Sequence, residues 1–252
     1  MNIFAIADLH LCFSTPNKSM EIFGPIWKDY EQKIKENWGK NISKDDLVLI
    51  AGDITWAMKL KEALIDLEWI HNLPGKKIII KGNHDYWWPS FSKLKTYLPP
   101  SIDFIQYNAI TIGDISISGT RLWDTDEFNF NDYINYIYNP KVKKNKNLEE
   151  EAQKELSQKI FVREIERLKL SLNQIDKNAK TKIIMTHYPP ISADLKDSKV
   201  SKLLDEYNID ISVFGHLHNV KTDIKKPFGQ KNKTQYVLTS SDFLNFNPIK
   251  IL

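Results

Sequence analysis

The chain has 252 residues, of which 42% are hydrophobic and 27% charged, and this balance excludes an intrinsically disordered protein. Its 35 lysines and arginines against 32 aspartates and glutamates give a net charge of +3, which is too small to favour nucleic acid or an anionic membrane as a partner. The single cysteine, Cys12, excludes a disulfide framework and a cysteine-based structural metal site.

The amino-terminal segment carries Asp8 and His10 within its apolar run and has no cationic leader. No stretch of the sequence reaches the ~20 apolar residues that a membrane-spanning helix needs. We therefore expect a cytoplasmic protein that makes no membrane contact.

Apolar runs alternate with helical patterns from the amino terminus onward, which predicts an α/β protein. Strands are predicted over residues 2–7, 47–51 and 77–81. Apolar residues four positions apart predict one amphipathic helix over residues 20–38, despite Gly24 and Pro25 near its start. A second helix is predicted from Leu60 to His71, and His71 is interpreted as a structural residue because it extends the apolar face of that helix.

The rest of the chain continues this alternation around one long helical segment. Further strands are predicted over residues 102–106, 109–112, 115–118, 182–186, 211–214 and 236–240, with another near the carboxyl terminus. Residues 122–147 are polar and residues 148–175 strongly helical, so we predict a mostly helical insertion or cap at about 122–178. A short helix is predicted around residues 200–207, and we predict a single domain over residues 1–252.

Five chemically reactive clusters each follow directly after a predicted strand. They are Asp8-Leu9-His10, Gly52-Asp53, Gly82-Asn83-His84-Asp85, His187 and Gly215-His216-Leu217-His218. Because ligand sites in α/β proteins assemble at the carboxyl ends of strands, we expect these clusters to converge. Five of the six histidines lie in these clusters, and only His71 stands apart.

The candidate metal ligands in these clusters are imidazoles, carboxylates and one amide. They are Asp8, His10, Asp53, Asn83, His187, His216 and His218. This donor set suits divalent manganese, iron or zinc, and it disfavours an all-oxygen calcium site. Seven ligands are too many for one transition ion but fit two ions if one carboxylate bridges them, an arrangement used for displacement at phosphorus. His84, beside Asn83, is then the candidate proton donor.

The motifs DxH, GD, GNHD, a later lone histidine and GHxH occur in this order between Asp8 and His218, and together they resemble the calcineurin-like metallophosphoesterase superfamily. The longer strings ADLHL, AGDITWAM, KGNHDYWW, HYPP, GHLH and DFLNFNP are similar to those of a bacterial branch of predicted phosphohydrolases. The resemblance implies a four-layer αββα fold, in which two packed mixed β-sheets are flanked by helices. It also implies a dinuclear metal-dependent enzyme that hydrolyses a phosphate mono- or diester with water.

The resemblance further implies a role for each matching residue. One metal ion is bound by Asp8, His10 and His218, the other by Asn83, His187 and His216, and Asp53 bridges the two. His84 protonates the leaving group. Asp85 is the expected partner of the other ring nitrogen of His84, so both are candidate catalytic residues.

Two kinds of alternative function stay open on the same fold. A nuclease would need a basic groove, which the net charge of +3 does not indicate, so a small phosphate ester is the expected substrate in preference to nucleic acid. A phosphoprotein phosphatase needs an open groove, about which the residues say nothing. A non-catalytic metal-binding scaffold would lack the acid histidine, whereas His84 is present. The residues select neither monoester nor diester, and they indicate no oligomeric state.

Three further features have ordinary structural interpretations. Arg121 is one of three arginines, and although a guanidinium suits phosphate, we expect a surface salt bridge. Trp87 and Trp88 are expected to pack in the core or at its rim. The lysine-rich run at residues 141–146 is interpreted as a solvated loop.

Overall fold

Two β-sheets form the centre of the fold, seen in a computed structural model whose described residues are 1–137, 150–221, 223 and 227–252. The strands, in chain order, are β1 (Ile3–Ile6), β2 (Leu47–Ile50), β3 (Lys76–Ile79), β4 (Ile102–Phe104), β5 (Ala109–Ile112), β6 (Ile115–Thr120), β7 (Thr181–Thr186), β8 (Ile211–Phe214), β9 (Gly229–Lys231), β10 (Thr234–Leu238) and β11 (Ile249–Lys250). The helices are α1 (Tyr30–Asn41), α2 (Leu60–His71), α3 (Phe91–Tyr97), α4 (Glu150–Leu172) and α5 (Lys199–Glu206).

Both sheets are mixed, with parallel strands at their centres. The first has the order β11-β1-β2-β3-β4, in which β1 to β4 are parallel and β11 is antiparallel to β1. The second has the order β5-β6-β7-β8-β10-β9, in which only the edge strands β5 and β9 are antiparallel to their neighbours. The predicted pair of mixed sheets is confirmed. Side chains that follow neighbouring parallel strands therefore meet at one edge of each sheet.

Alternating side chains explain why the two sheets pack against each other. Ile3 and Ala5 of β1 share a buried apolar cluster with Ile183 and Met185 of β7, between the sheets. Residues of the opposite parity, such as Phe4, belong to a second cluster with the helices outside the first sheet. Each fully buried isoleucine or leucine contributes ~1.5–3 kcal/mol, so this double-sided burial stabilises the layered arrangement.

The helix predicted over residues 20–38 is wrong in its first half. Met20–Phe23 and Pro25–Trp27 are separate 3-10 turns, and α1 begins only at Tyr30. Gly24 lies between the turns with a φ of 126°, which a helix cannot contain. The backbone of Asp29 adopts a left-handed conformation with a φ of 52°, so the chain changes direction there and α1 begins at the next residue. The predicted strands are confirmed with small differences at their ends.

The long predicted helix corresponds to α4, which packs on the second sheet. Leu168 and Leu172 of α4 are buried in a cluster with Ile184 and Phe214 of the sheet. The lysine-rich run falls within residues 138–149, outside the described part of the chain. The single domain and the insertion at about 122–178 stay predictions. Among the described helices, none combines the length and the apolar composition that crossing a membrane requires.

Candidate metal centre

The predicted site residues come together at the carboxyl ends of five strands. Asp8 and His10 follow β1, Asp53 follows β2, Asn83 and His84 follow β3, His187 follows β7, and His216 and His218 follow β8. The centre is therefore assembled from both sheets, at the edge where their parallel strands end.

Four of the candidate ligands have left-handed backbone conformations. The φ angles are 57° for Asp8, 45° for His10, 51° for Asp53 and 72° for His216. Residues other than glycine rarely adopt these angles, and such strain clusters at functional sites where the surrounding structure enforces it. Backbone hydrogen bonds supply that enforcement, since the His10 N–H donates to the Asp53 carbonyl at 3.0 Å.

Two motif glycines are required by the close approach of ligand carboxylates. A Cβ atom at Gly82 would overlap the Oδ1 atom of Asp53, and a Cβ atom at Gly215 would overlap the Oδ2 atom of Asp8. The glycines in GNHD and GHLH thus leave room for the two carboxylates that the opposing loops place there. Any larger residue at either position would displace a candidate ligand.

The first group of candidate ligands consists of Asp8, His10 and His218. Their donor atoms all lie within 4.8 Å of one another. The Nε2 atoms of His10 and His218 are 3.3 Å apart. The Nδ1 atom of His218 is 2.9 Å from Oδ1 of the buried Asp242. Because that carboxylate accepts the Nδ1 proton, Nε2 is the atom of His218 that faces the ligand group.

The second group brings together His187, Asn83 and His216. The Nε2 atom of His187 is 2.7 Å from Oδ1 of Asn83, and Nδ1 of His216 is 3.1 Å from the same oxygen. His187 Nδ1 donates to the Ala51 carbonyl at 3.0 Å, which leaves Nε2 as its ligand atom. His187 also forms a compact group with Asp8 and Asp53, with donor atoms within 4.8 Å.

Asp53 lies between the two groups. Its Oδ2 atom is 3.7 Å from Nε2 of His10 and 3.4 Å from Nε2 of His187. Its Oδ1 atom accepts a hydrogen bond from the His84 N–H at 2.8 Å. One carboxylate therefore faces both ligand groups, which is the position that a bridging ligand needs.

The electrostatics of the centre fit cation binding. Burial alone would raise the pKa of Asp53, but the neighbouring His187 and His10 hold it well below its usual range, so this carboxylate is ionised. Burial lowers the pKa of His187 and His218, yet Asp53 and Asp242 outweigh burial and raise the two values to about 9. At neutral pH both imidazoles therefore carry a second proton, on the Nε2 atom that a metal ion takes when it binds. The imidazole and carboxylate donors fit a divalent transition metal.

His84 lies at the mouth of the centre and is half-buried. With His10, His218 and Trp56 it lines a cavity of about 170 Å³. Its ring centroid lies 4.6 Å from that of Trp56, and burial lowers the pKa of His84. The ring of Trp56 also stacks on His10 at 4.8 Å. His84 therefore adjoins the candidate ligands while its ring faces a space that a substrate can enter.

Asp85 does not have the partner that the sequence predicted. Its fully buried carboxylate accepts hydrogen bonds from the Gly82 N–H at 2.7 Å, the Ile54 N–H at 3.0 Å and the Trp87 indole at 2.9 Å. No hydrogen bond joins it to the His84 ring in the described part of the chain. Asp85 thus ties the GNHD loop to the loop after β2.

Sequence reasoning missed Asp242 as a partner of His218, although the residue lies in the quoted string DFLNFNP. The salt bridge expected for Arg121 is present, but it does not lie at the surface, because this side chain is only 16% exposed and pairs with the buried Glu164. His71 is confirmed in a structural contact, with its Nδ1 atom 2.7 Å from Oγ of Ser101.

The fold and the site together define an α/β protein whose strand ends gather carboxylates and imidazoles into a candidate metal centre. The chain belongs to the calcineurin-like phosphoesterase family, whose sequence profile matches residues 1–220. This confirms the resemblance inferred from the ordered motifs. Metal dependence is a property of the family, and the clustered donors are consistent with it.

Similar proteins occur in phages and in bacteria. The chain is 33% and 30% identical over 84 residues to the Gene 66 proteins of the Mycobacterium phages D29 and L5. These matches cover 33% of this chain, and they span only 40% of the length of each phage protein. A phosphopantetheinyl hydrolase from Mycobacterium tuberculosis has a similar structure, with a TM-score of 0.52 and 13% identity over 100% of this chain and 95% of that one. At this low sequence identity, the similarity to that structure concerns the fold alone.

Proposed function

We propose that the protein is a dinuclear metal-dependent phosphoesterase that hydrolyses a phosphate mono- or diester with water. The observation that carries the proposal is the position of Asp53, whose Oδ2 atom faces both His10 and His187 at 3.7 and 3.4 Å. A shared carboxylate of this kind holds the two ions of a phosphoryl-transfer site about 3.5–4 Å apart.

The proposed ligands divide between two ions. Asp8, His10 and His218 hold one ion, Asn83, His187 and His216 hold the other, and Asp53 bridges them. Manganese, iron and zinc are the candidate metals for this set of donors. When bound, the two ions supply Lewis acidity at the phosphoryl oxygens and activate water as a nucleophile.

The chain's own residues supply the remaining chemistry. His84 donates a proton to the departing oxygen, because its ring lines the cavity beside the ligands and forms no ion pair with a carboxylate in the described part of the chain. Asp85 acts as a positioning residue, since its hydrogen bonds to Gly82 and Ile54 fix the loop that presents His84.

The substrate we propose is a small phosphate ester, because the net charge of +3 does not favour nucleic acid. A cytoplasmic location is proposed as well, in keeping with the single, buried and unpaired Cys12. The helical segment at about 122–178 is proposed as an insertion within one domain.

Hydrolysis of p-nitrophenyl phosphate and bis-p-nitrophenyl phosphate by the purified chain, with manganese, iron or zinc added, tests the proposal. We expect turnover of at least one ester, abolished by chelator and restored by the metal, with close to two ions bound per chain. A protein that binds metal but releases no p-nitrophenol under any condition would be a scaffold, and the proposal would be wrong.

A further inference from the structure

The three arginines of the chain meet at one buried carboxylate. Glu164 is 1% exposed, and its Oε1 atom lies 2.6 Å from Arg167, 3.4 Å from Arg121 and 3.7 Å from Arg163. Its other oxygen accepts a hydrogen bond from Thr120 at 3.0 Å. Arg121 follows β6, whereas Arg163 and Arg167 belong to α4, so the contact joins distant parts of the sequence.

The three arginines and a nearby lysine carry more positive charge than the single carboxylate of Glu164 can neutralise. Arg121, Arg163, Arg167 and Lys81, which we name the arginine cluster, line a cavity of about 230 Å³ together with Glu164. Gathering like charges in a half-buried cavity is costly unless an anion compensates them.

Two of the guanidinium groups lie over aromatic rings, and one of these retains an unpaired hydrogen-bond donor. Arg121 lies over the Trp123 ring at 4.5 Å, and Arg167 lies over the Tyr107 ring at 4.7 Å. The Nε atom of Arg121 is buried and has no hydrogen-bond partner in the described part of the chain. Buried donors in proteins are almost always paired, so an unpaired one in a cationic cavity indicates a missing acceptor.

The arginine cluster is the direct neighbour of the metal centre. Lys81 precedes the GNHD loop after β3, and Arg121 follows β6, which lies beside β7 in the second sheet. The His187 N–H donates to the Arg121 carbonyl at 3.1 Å, which joins the two sites through the backbone. Both sites therefore occupy the edge where the parallel strands end, at adjacent strand positions.

We propose that the arginine cluster binds a second phosphate group of the substrate whose ester phosphate lies at the metal centre. The inference rests on the proposed phosphoesterase function and narrows it to small molecules with two phosphate groups. Guanidinium groups suit this role because they present paired donors to phosphate oxygens and stay charged at every physiological pH. Glu164 holds the three guanidinium groups together while leaving the cavity cationic.

Binding of inorganic phosphate to the full chain in chelator tests the arginine cluster apart from the metals. Arg163→Gln removes one cation, and because Arg163 is 54% exposed, the variant is expected to fold. We expect phosphate to bind the wild type and to bind this variant roughly tenfold more weakly, as for loss of a charge-assisted hydrogen bond. Lys159→Gln is the matched control, since Lys159 lies on the same helix, is 70% exposed and pairs with Glu155.

Substrate preference of the manganese-loaded enzyme tests whether the arginine cluster serves the active site. The measured quantity is the ratio of kcat/KM for fructose 1,6-bisphosphate over fructose 6-phosphate, and for adenosine 3′,5′-bisphosphate over adenosine 5′-monophosphate. We expect a ratio above one for at least one pair, reduced roughly tenfold by Arg163→Gln and retained in Lys159→Gln.

Each outcome decides a different point. Equal phosphate binding by the wild type and Arg163→Gln in chelator, or equal weakening by Lys159→Gln, would overturn the phosphate site. Ratios unchanged by Arg163→Gln for both substrate pairs would overturn its role in substrate recognition. If the loaded wild type hydrolyses nothing, the proposed phosphoesterase function fails, while the binding experiment in chelator still decides whether the arginine cluster holds phosphate.

Discussion

The metal centre and the arginine cluster lie side by side at one edge of the two sheets, yet their charges are opposite in kind. The metal centre gathers lone pairs and carboxylates around Asp53, so it attracts cations. The arginine cluster gathers guanidinium groups around Glu164, so it attracts anions. A molecule carrying phosphate groups can be held by both, through metal ions at one end and directly at the other. In the proposed scheme, substrate positioning and phosphoester hydrolysis are therefore supplied by separate sets of side chains.

The largest effect is expected when Asp53, the proposed bridging ligand, is neutralised. Asp53→Asn should lower kcat by at least ~10³-fold and reduce the bound metal, because even second-sphere partners of a metal contribute 10–100-fold. Turnover and elemental analysis measure the two effects. Asp103→Asn, at an exposed position of β4, is the control for the chemical change. A fully active, metal-free Asp53→Asn protein would contradict the proposed centre.

Replacing His84, the proposed general acid, should lower turnover without lowering the metal content. His84→Gln should lower kcat by roughly 10²–10³-fold for phenyl phosphate, the usual contribution of a general acid, while the metal content stays at the wild-type level. The loss should be much smaller for p-nitrophenyl phosphate, whose leaving group needs little protonation. His71→Gln is the control, since His71 lies in a structural contact with Ser101. Equal losses on both substrates would exclude His84 as the acid.

Neutralising Glu164, which lies between the three arginines, should affect the free energy of unfolding more than the turnover rate. Glu164→Gln leaves three guanidinium groups without their shared carboxylate and should lower the free energy of unfolding by roughly 2 kcal/mol, less than for a fully buried pair because two of the arginines are partly exposed. Urea unfolding measures this change. Glu166→Gln, on the exposed side of the same helix, should have little effect. Comparable losses in both variants would show that Glu164 has no special role.

The smallest expected effect is the pH dependence contributed by two histidines of the metal centre. The pKa values of His187 and His218 are raised from 6.5 to about 9, so their protonation stabilises the fold fully below pH 6.5. This contribution is lost as the pH rises through about 9. In chelator, the melting temperature should fall by several degrees between pH 6.5 and 9.

Metal binding should show the opposite trend over the same interval. Because each ion replaces protons on these imidazoles, manganese affinity should rise with pH, and protons should be released on binding. Calorimetry in two buffers of different ionisation enthalpy measures that release. An affinity that does not change between pH 6.5 and 9 would contradict the raised pKa values.

The sequence predicts that the candidate ligands converge because each of them lies within a few residues of the end of a strand. Asp8, Asp53 and His187 can be located from apolar runs alone, and parallel strands bring their ends together without further information. The same local reasoning failed over residues 20–38, where Gly24 interrupts an otherwise helical pattern. Spacing of apolar residues does not reveal backbone angles.

The arginine cluster could not be predicted because its members are far apart in the sequence. Arg121 and Glu164 meet only after α4 has packed on β6, and no local pattern specifies that contact. Asp242 is a similar case, since it reaches His218 across 24 residues. The sequence signal for the arginine cluster is the scarcity of arginine, which is informative only once the fold is known.

The hydrogen bond from His218 to Asp242 means that the family profile, which ends at residue 220, does not delimit a functional unit. The same carboxyl-terminal segment also supports the loop before Asp8, because the Ala7 N–H donates to the Thr239 carbonyl at 2.7 Å and the Ser241 hydroxyl donates to the Ala7 carbonyl at 2.6 Å. Truncating the chain at residue 220 would remove Asp242, the partner of His218, and the two hydrogen bonds to Ala7. The segment between β10 and β11 thus holds the loops of β1 and β8 in place, and a fragment ending at residue 220 would retain the five ordered motifs without these contacts.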